Sequence, residues 1–590
     1  MFVGPIFERE VLTTPRRLSH YLLRSGFVAA LLILFYSLRQ ATIGFQDVIF
    51  SGDTASFSAL VFRVFAVLQL RLGLFFSTLF SASLVAQEKD RRTLILLLMT
   101  DLRNRELAIG KLFSSLLNIV VLLAASWPVF FSLRLLGGVM WEQIIWSQVI
   151  VLVATFAAGS WGCLVAFWRE KTFQTIAVSV LGVMMFILAA QAGGVLIDAR
   201  IADLSPYQGL FRVLNPMNPD EPGVIQVSAW TTVFSLIAMA VFLTALTVLR
   251  LRVWNPSKEV HQSQLQGAAP EADSTNDLST VTPKSAPVVA RNHRSVWDHA
   301  VLWREMRTRA YGRRMIWIKL TYVLLSIVVA AVSWQRPDDG GQETLMLGMV
   351  SAPAFSLLGV GLVSLLLANA QAVTSVTTER DAKTLEILLV TDLHPWEFMV
   401  GKIVGALWNA REMLVIPLVI VTAMSVGGIL PTLTAENTLY VCIGFLVLIL
   451  FAIALGLHAG MSYDNSRQAI AHSLGTMFFL CVGIFVFMLL LVEARSSFAI
   501  QLQSFVLFIG FGSLGLYSSL TSRSPSNALT LASLLLPFLT FYAITEFLLG
   551  GNLGVCFWIC MAYGFAAVAM MVPAMNDFDI VLGRNIQDVT

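Results

Sequence analysis

Charge is what this sequence has least of. Only 13% of its 590 residues are Asp, Glu, Lys or Arg, whereas soluble proteins carry roughly 25%. The hydrophobic fraction is 57% and the mean hydropathy is +0.77. This composition excludes an ordinary soluble protein and favours a membrane protein. The net charge of +3 gives no reason to expect a nucleic-acid partner.

The sequence also lacks the motifs of the common enzyme classes. It has no G-x-x-x-x-G-K-[ST] phosphate loop, because Gly110-Lys111 and Gly401-Lys402 have neither the upstream glycine nor the following Ser or Thr. It has no H-E-x-x-H, no C-x-x-C and no Ser-His-Asp order. We therefore predict that the chain is not an enzyme and holds no cofactor, and that any ATP hydrolysis belongs to a separate subunit.

Cysteine is scarce as well, with five residues, all in apolar stretches. Cys556 and Cys560 are one helical turn apart and could share a face. No His or carboxylate stands at ligand spacing beside them, so we expect apolar packing thiols rather than a metal site.

Long apolar runs are abundant, and about 20 such residues are needed for a helix to cross a bilayer. They predict an all-α fold, a polytopic transmembrane helix bundle of 12–14 spans. The predicted spans of the first half are 21–39, 60–86, 107–133, 144–168, 173–197 and 228–250. Those of the second half are 316–334, 347–376, 398–424, 438–462, 469–492, 498–518, 527–549 and 552–573.

An internal repeat divides the chain into two homologous halves. The segment from Glu88 to Lys111 matches the segment from Glu379 to Lys402 at a constant offset of 291, with 12 of 24 positions identical. Gly162 and Gly456 are a further matched pair. We predict a first membrane domain at 1–254, a flexible linker rich in Pro, Ser and Thr at 255–298, and a second membrane domain at 299–590. The second half holds two extra apolar segments.

The distribution of Lys and Arg predicts the orientation. Most cations, including Arg91, Arg92 and Lys383, fall on one side of the predicted topology, and the opposite loops are poorer in them. Both termini, the linker and both copies of the repeated segment are therefore predicted to be cytoplasmic, in a multi-pass protein of the plasma (inner) membrane.

Each copy of the repeated segment contains a short amphipathic helix. Leu94, Leu97, Leu98 and Leu102 recur at helical spacing after a charged stretch, and the second copy repeats this pattern. Asp101 or Asp392 would cap the next helix, and Gly110-Lys111 or Gly401-Lys402 would place a lysine that extends to the headgroups. The alternative is an interfacial re-entry of the chain without any partner.

The pattern Glu-x-x-x-x-Thr-Leu-x-x-Leu-Leu-x-Thr-x-Leu, followed by Glu and Gly-Lys, resembles the permeases of ABC-2-type transporters, in particular fused double-length members. The resemblance implies that the segment is a coupling helix against an ABC ATPase supplied in trans, and that segments 7–17 and 302–314 are connecting helices. The residues that would face the ATPase are Glu88, Asp90, Thr93, Asp101, Glu379, Asp381, Thr384 and Asp392. The family usually has Gly before the first Thr, where this chain has Arg92 and Lys383.

A few polar side chains interrupt the predicted spans. Arg411 and Glu412 lie about 14 Å beyond Lys402 at ~1.5 Å per residue, near the middle of the bilayer. They would line a substrate path or clamp two helices together. The other such residues are Arg63, Arg71, His458 and His472, and the two histidines are expected to pack rather than to relay protons.

These observations predict the membrane-spanning permease of an ATP-driven exporter with an unidentified substrate. A membrane anchor or mechanical transmitter for an ATPase is the alternative. A secondary transporter would need paired acids or broken helices near the midplane, and acids are sparse in the spans.

Overall fold

A computed structural model describes the chain over residues 4–13, 18–42, 51–196, 198–216, 229–255, 297–307, 315–334, 345–346, 350–385, 394–429, 434–487, 498–521, 526–548 and 551–581. Most of the predicted linker therefore lies outside the described residues.

The described residues of the first half form ten helices. They are α1 (Gly4–Thr13), α2 (Leu18–Thr42), α3 (Ser51–Asp90), α4 (Thr93–Met99), α5 (Asn104–Leu135), α6 (Trp141–Trp168), α7 (Thr172–Leu196), α8 (Ala199–Ala202), α9 (Pro206–Leu214) and α10 (Trp230–Trp254).

The second half follows the same plan. Its helices are α11 (Ala300–Arg307), α12 (Met315–Trp334), α13 (Ala352–Asp381), α14 (Pro395–Asn409), α15 (Arg411–Val426), α16 (Ala435–Ser462), α17 (Ser466–Phe478), α18 (Phe498–Thr521), α19 (Asn527–Leu548) and α20 (Asn552–Val581). A π-helical turn, Phe479–Gly483, extends α17. Strands β1 (Leu345–Met346) and β2 (Val350–Ser351) form one antiparallel pair.

The all-α polytopic bundle predicted from the sequence is confirmed. Each predicted span coincides, within several residues and as far as it is described, with a helix or helix pair. Within the described residues, ten helices are long and apolar enough to cross a membrane, and the bent pair α14–α15, counted as one span, makes eleven. Helices satisfy their own backbone hydrogen bonds, which is what an apolar surrounding demands.

One predicted span is not a continuous helix. The span at 398–424 is divided between α14 and α15, whose axes differ by 53°. The break falls at Ala410, between Asn409 and Arg411. Its counterpart in the first half, α5, runs through without a break of this kind.

The two halves are built around the same helix crossing. A Cβ added to Gly162 on α6 would lie 2.8 Å from the backbone oxygen of Thr78 on α3. A Cβ added to Gly456 on α16 would lie 2.7 Å from the backbone oxygen of Asn369 on α13. Only glycine allows the backbones to approach this closely, which explains why the sequence has glycine at both positions.

The last helix of each half packs against the same partner, α10 on α6 and α20 on α16. Helices α18 and α19 are therefore the two extra segments of the second half. Between the halves, α3 packs against α17 and α7 packs against α13. Phe75 and Phe478 stack across this interface with ring centroids 5.1 Å apart, so the halves meet through apolar and aromatic side chains.

Candidate functional site: the paired motifs

The two copies of the repeated segment lie side by side. The Nε atom of Arg91, just after α3, is 3.2 Å from Oδ1 of Asp381 at the end of α13. This contact joins two residues that are 290 positions apart in the chain, and it puts both copies on the same side of the bundle. That common side is called the motif side below.

The first acid of each copy pairs with the lysine of the next span. Glu88 forms an ion pair with Lys111 in the first half. In the second half Lys402 Nζ is 2.8 Å from Glu379 and 2.7 Å from Glu305 on α11. The prediction that these lysines extend to the headgroups is wrong. Both are buried because carboxylates of neighbouring helices surround them.

The second residue of each copy is a cation that caps a helix of the same half. Lys89 Nζ donates to the carbonyl oxygens of Phe167 and Arg169, at 2.6 and 2.9 Å, where α6 ends. Arg380 donates to the carbonyl oxygens of Gly460 and Tyr463, where α16 ends. A cation is favourable there, since the last carbonyls of a helix have no partner in the helix and carry partial negative charge.

The third residue of each copy is an aspartate that holds the start of the following helix. Thr172, at the first position of α7, donates its hydroxyl to Asp90. Ser466, at the first position of α17, donates its hydroxyl to Asp381. These two hydroxyl residues were not predicted, although each lies ten residues after its glycine of the matched pair Gly162 and Gly456, a signal that could have revealed them.

Between the aspartate and the amphipathic helix, the chain reverses its direction at a residue whose backbone is in the left-handed conformation. Arg92 has φ 59° and Lys383 has φ 56°. These are the positions where the resembling family usually has glycine. Behind the turn, the hydroxyl of Thr93 donates to the carbonyl of Glu88 at 3.3 Å, and that of Thr384 to the carbonyl of Glu379 at 3.0 Å. The two turns therefore have the same geometry.

The amphipathic helix of the first copy, α4, has the predicted sidedness. Leu94 is buried, and Leu97 and Leu98 pack against the core. Leu96 and Met99 are 65% and 56% exposed on the opposite side. Two large apolar side chains thus face outward on the motif side. The same stretch of the second copy, 386–393, lies outside the described residues, and the predicted Asp392 lies within it.

Seven of the eight predicted ATPase-facing residues are described, all except Asp392, and they form two groups. Thr93, Asp101 and Thr384 are exposed. The remaining four face partners within the chain, as described above: Glu88, Asp90, Glu379 and Asp381. Asp101 does not cap α5, which corrects the prediction: the helix begins after Arg103, whose backbone N–H donates to Glu106 at 3.2 Å. The acid three residues later thus supplies the cap.

Arg411 and Glu412 stand at the start of α15, directly after the bend. Glu412 accepts from Lys319 on α12 at 2.6 Å and from Arg411 at 3.1 Å. Arg411 also lies over the ring of Trp408 at 4.8 Å. Lys319 was missed in the sequence because a lysine near the start of a span is ordinarily a headgroup anchor. The ion pair between Lys319 and Glu412 connects α12 with α15, as an inter-helix clamp would. A substrate path at this place stays a prediction.

The remaining polar residues of the spans have local partners. Arg63 reaches Asn215 at 3.5 Å. Arg71 lies beside Tyr207 of α9; burial raises the pKa of that phenol, and the guanidinium opposes the rise. His458 contacts the carbonyl of Leu520 at 3.1 Å. His472 stacks on Tyr463 with ring centroids 4.6 Å apart; these histidine contacts agree with the predicted packing role.

No family model, curated protein or solved structure matches this chain. What the chain does must therefore be argued from its residues and their geometry.

Proposed function

We propose that the chain is the membrane-spanning permease of an ATP-binding-cassette transporter, energised by separate ATPase subunits that bind on the motif side. One observation carries the proposal. Two copies of the repeated segment lie next to each other. The charged residues of each copy form ion pairs and hydrogen bonds with several helices of the same half.

These contacts would transmit a movement of α4 to the neighbouring helices. A displacement of α4 would move α3 and α5 through the Glu88–Lys111 pair. It would move α6 through Lys89 and α7 through Asp90, since both contacts start within three residues of the turn. A helix that is connected to this many neighbouring helices moves together with them as a rigid unit.

An ATPase subunit also needs a surface on the motif side to which it can bind. Leu96 and Met99 are the exposed apolar side chains of α4, with Arg92 and Asp101 exposed near them. An apolar centre with charged residues around it is the usual composition of a protein–protein contact. The ATPase would bind here, and ATP binding would favour one of two arrangements of the halves.

Export of an unidentified substrate is proposed from the family resemblance alone. The alternative, a membrane anchor or mechanical transmitter, draws support from the contact between the halves. Phe75 and Phe478 stack there, and Arg467 lies 5.2 Å from the ring centroid of Phe80. Side-chain contacts of this kind hold the two halves together where they lie.

The proposal is tested by purifying the tagged chain from its native host with mild detergent. We expect an ATPase to be recovered with the wild-type chain and to be lost from a Leu96→Glu, Met99→Glu variant. A matched control places two glutamates at Leu135 and Met140, which are exposed where α5 ends and α6 begins, on the side opposite to the motif side.

Charge reversal of Asp90 is a poorer test, because it would break the contact with Thr172 inside the chain. Recovery of the ATPase with the α4 variant at the wild-type level, or the absence of any ATPase from the wild-type preparation, would contradict the proposal.

A further inference from the structure

A cavity of about 600 Å³ lies between five helices of the first half and the first span of the second half. Its walls come from α3, α6, α7, α10 and α12, with Pro206 of α9. The volume falls in the range of ~300–1,000 Å³ typical of ligand sites. Apart from Arg169 and Thr321, all of its lining residues are apolar or aromatic.

The cavity is elongated along α6, and one of its ends lies at the motif side. Along α6 it extends from Ala154 to Arg169, a rise of about 22 Å at ~1.5 Å per residue. Arg169 stands at the motif side, because Lys89 donates to its carbonyl oxygen. Trp168 and Trp317 line the same end. Tryptophan and arginine together are typical of the headgroup level of a membrane.

The polar groups of the wall do not point to a polar ligand. The indole nitrogen of Trp161 donates to the carbonyl of Ser179 at 3.1 Å, and the hydroxyl of Thr321 donates to the carbonyl of Trp317 at 2.8 Å. The guanidinium of Arg169 lies 3.7 Å from the ring centroid of Trp168. One buried cation therefore stands at the end of a long apolar shaft.

The second half shows what fills the corresponding space there. Tyr463 takes the place of Arg169 at the end of the fourth span, and its phenol donates to the carbonyl of Ser519 on α18 at 2.8 Å. Helix α18 packs against α2, the first span of the first half. Aromatic side chains also pack on α18, as in the stack of Phe487 on Phe508 at 4.0 Å. Among its described residues, the first half has no counterpart of α18.

We infer that the cavity is a binding site for an anionic lipid-like amphiphile, which enters from the leaflet on the motif side. Its acyl chain would occupy the apolar shaft, where α18 and its neighbours supply the apolar contacts in the second half. Its negative headgroup would lie at Arg169, between Trp168 and Trp317. A shaft of about 22 Å is long enough, because one leaflet accounts for about half of a hydrocarbon core of ~30 Å.

The site is tested on the full-length chain in phosphatidylcholine vesicles, with two photoactivatable probes. Both carry a diazirine on the acyl chain; one is a phosphatidylglycerol and the other a phosphatidylcholine. We expect the anionic probe to label peptides of α6, α7 and α10 at least fivefold more than the zwitterionic probe does.

Val178→Phe, on the cavity wall, should reduce that labelling at least fivefold. Val241→Phe adds the same volume on the exposed face of α10 and should leave it unchanged. Arg169→Gln should abolish the preference for the anionic probe, and Arg169→Lys should keep it.

Labelling spread evenly over all lipid-facing helices, or equal labelling by the two probes in the wild type, would overturn the inference. So would full labelling of the Val178→Phe variant. The assay contains no ATPase, so its result does not depend on the proposed transport function.

Discussion

Among the described cations of the motif side, Lys402 has the least exposed side chain. Its removal is the strongest test of the ion pairs that hold the repeated segments in place. Its side chain is 1% exposed and its ammonium contacts Glu305 at 2.7 Å, Glu379 at 2.8 Å and the carbonyl of Ser375 at 3.2 Å. Lys402→Met would leave two carboxylates together, and among the described residues Arg304 is the cation that remains in contact with them. Removing one partner of a buried pair typically costs ~3–5 kcal/mol.

The assay is thermal unfolding of the purified chain in one detergent, followed by tryptophan fluorescence. Lys402→Met should unfold at a clearly lower temperature than Lys111→Met, because it leaves two adjacent carboxylates, of which Glu305 is only 5% exposed. Lys111→Met leaves the one carboxylate of Glu88, which is 20% exposed. The double variant Lys402→Met, Glu379→Met should recover most of the loss. Lys171→Met, at an exposed lysine, is the control. A Lys402→Met midpoint equal to the wild type, or a double variant no better than the single one, would refute the reasoning.

Three further sets of variants test the turns, the clamp and the packing of α14 on α11. Arg92→Gly and Lys383→Gly should each raise the free energy of unfolding by roughly 0.5–1 kcal/mol, because glycine adopts positive φ without strain; Arg92→Ala should not, and a loss with glycine would contradict the left-handed turn. Lys319→Met should lower the unfolding midpoint and Lys319→Met, Glu412→Met should restore it; equal midpoints for the two variants would contradict the clamp. Gly405→Ala should destabilise the chain, because the new Cβ would lie 2.6 Å from a side-chain carbon of α11; an unchanged midpoint would contradict that packing.

The helical architecture could be predicted from the sequence because its causes are local. A run of about 20 apolar residues is long enough to cross a bilayer, whatever its neighbours are. The repeat was equally visible, since identical residues at a constant offset require no structure to recognise. The glycine pair Gly162 and Gly456 had a physical cause that only the structure shows, the close approach of two helix backbones.

The partners of the charged residues could not be predicted, because they depend on tertiary contacts. Lys111 and Lys402 were expected at the headgroups, and they are buried because Glu88 and Glu379 approach them from another helix. The bend at Ala410 was missed because the polar residues beside it, Asn409, Arg411 and Glu412, were interpreted as side chains within one continuous span.

The identities within the repeat have a structural explanation that the sequence pattern alone did not suggest. Glu, the following cation and Asp each hold a different helix of the same half, and these contacts recur in both halves. Charges that recur in both copies therefore serve the fold, whatever else they serve. The exposed face of α4 becomes the better candidate for contact with a partner than the carboxylates beside it.

The central claim is that both copies of the repeated segment face the cytoplasm together, where a nucleotide-hydrolysing subunit can reach them. It is tested by introducing single cysteines at Leu96 and at Ala382, both exposed, into a chain whose five native cysteines have been replaced. A membrane-impermeant maleimide should label both positions in inverted vesicles and neither in sealed right-side-out vesicles. Labelling of the two positions from opposite sides of the membrane, or of both from the outside, would contradict the account.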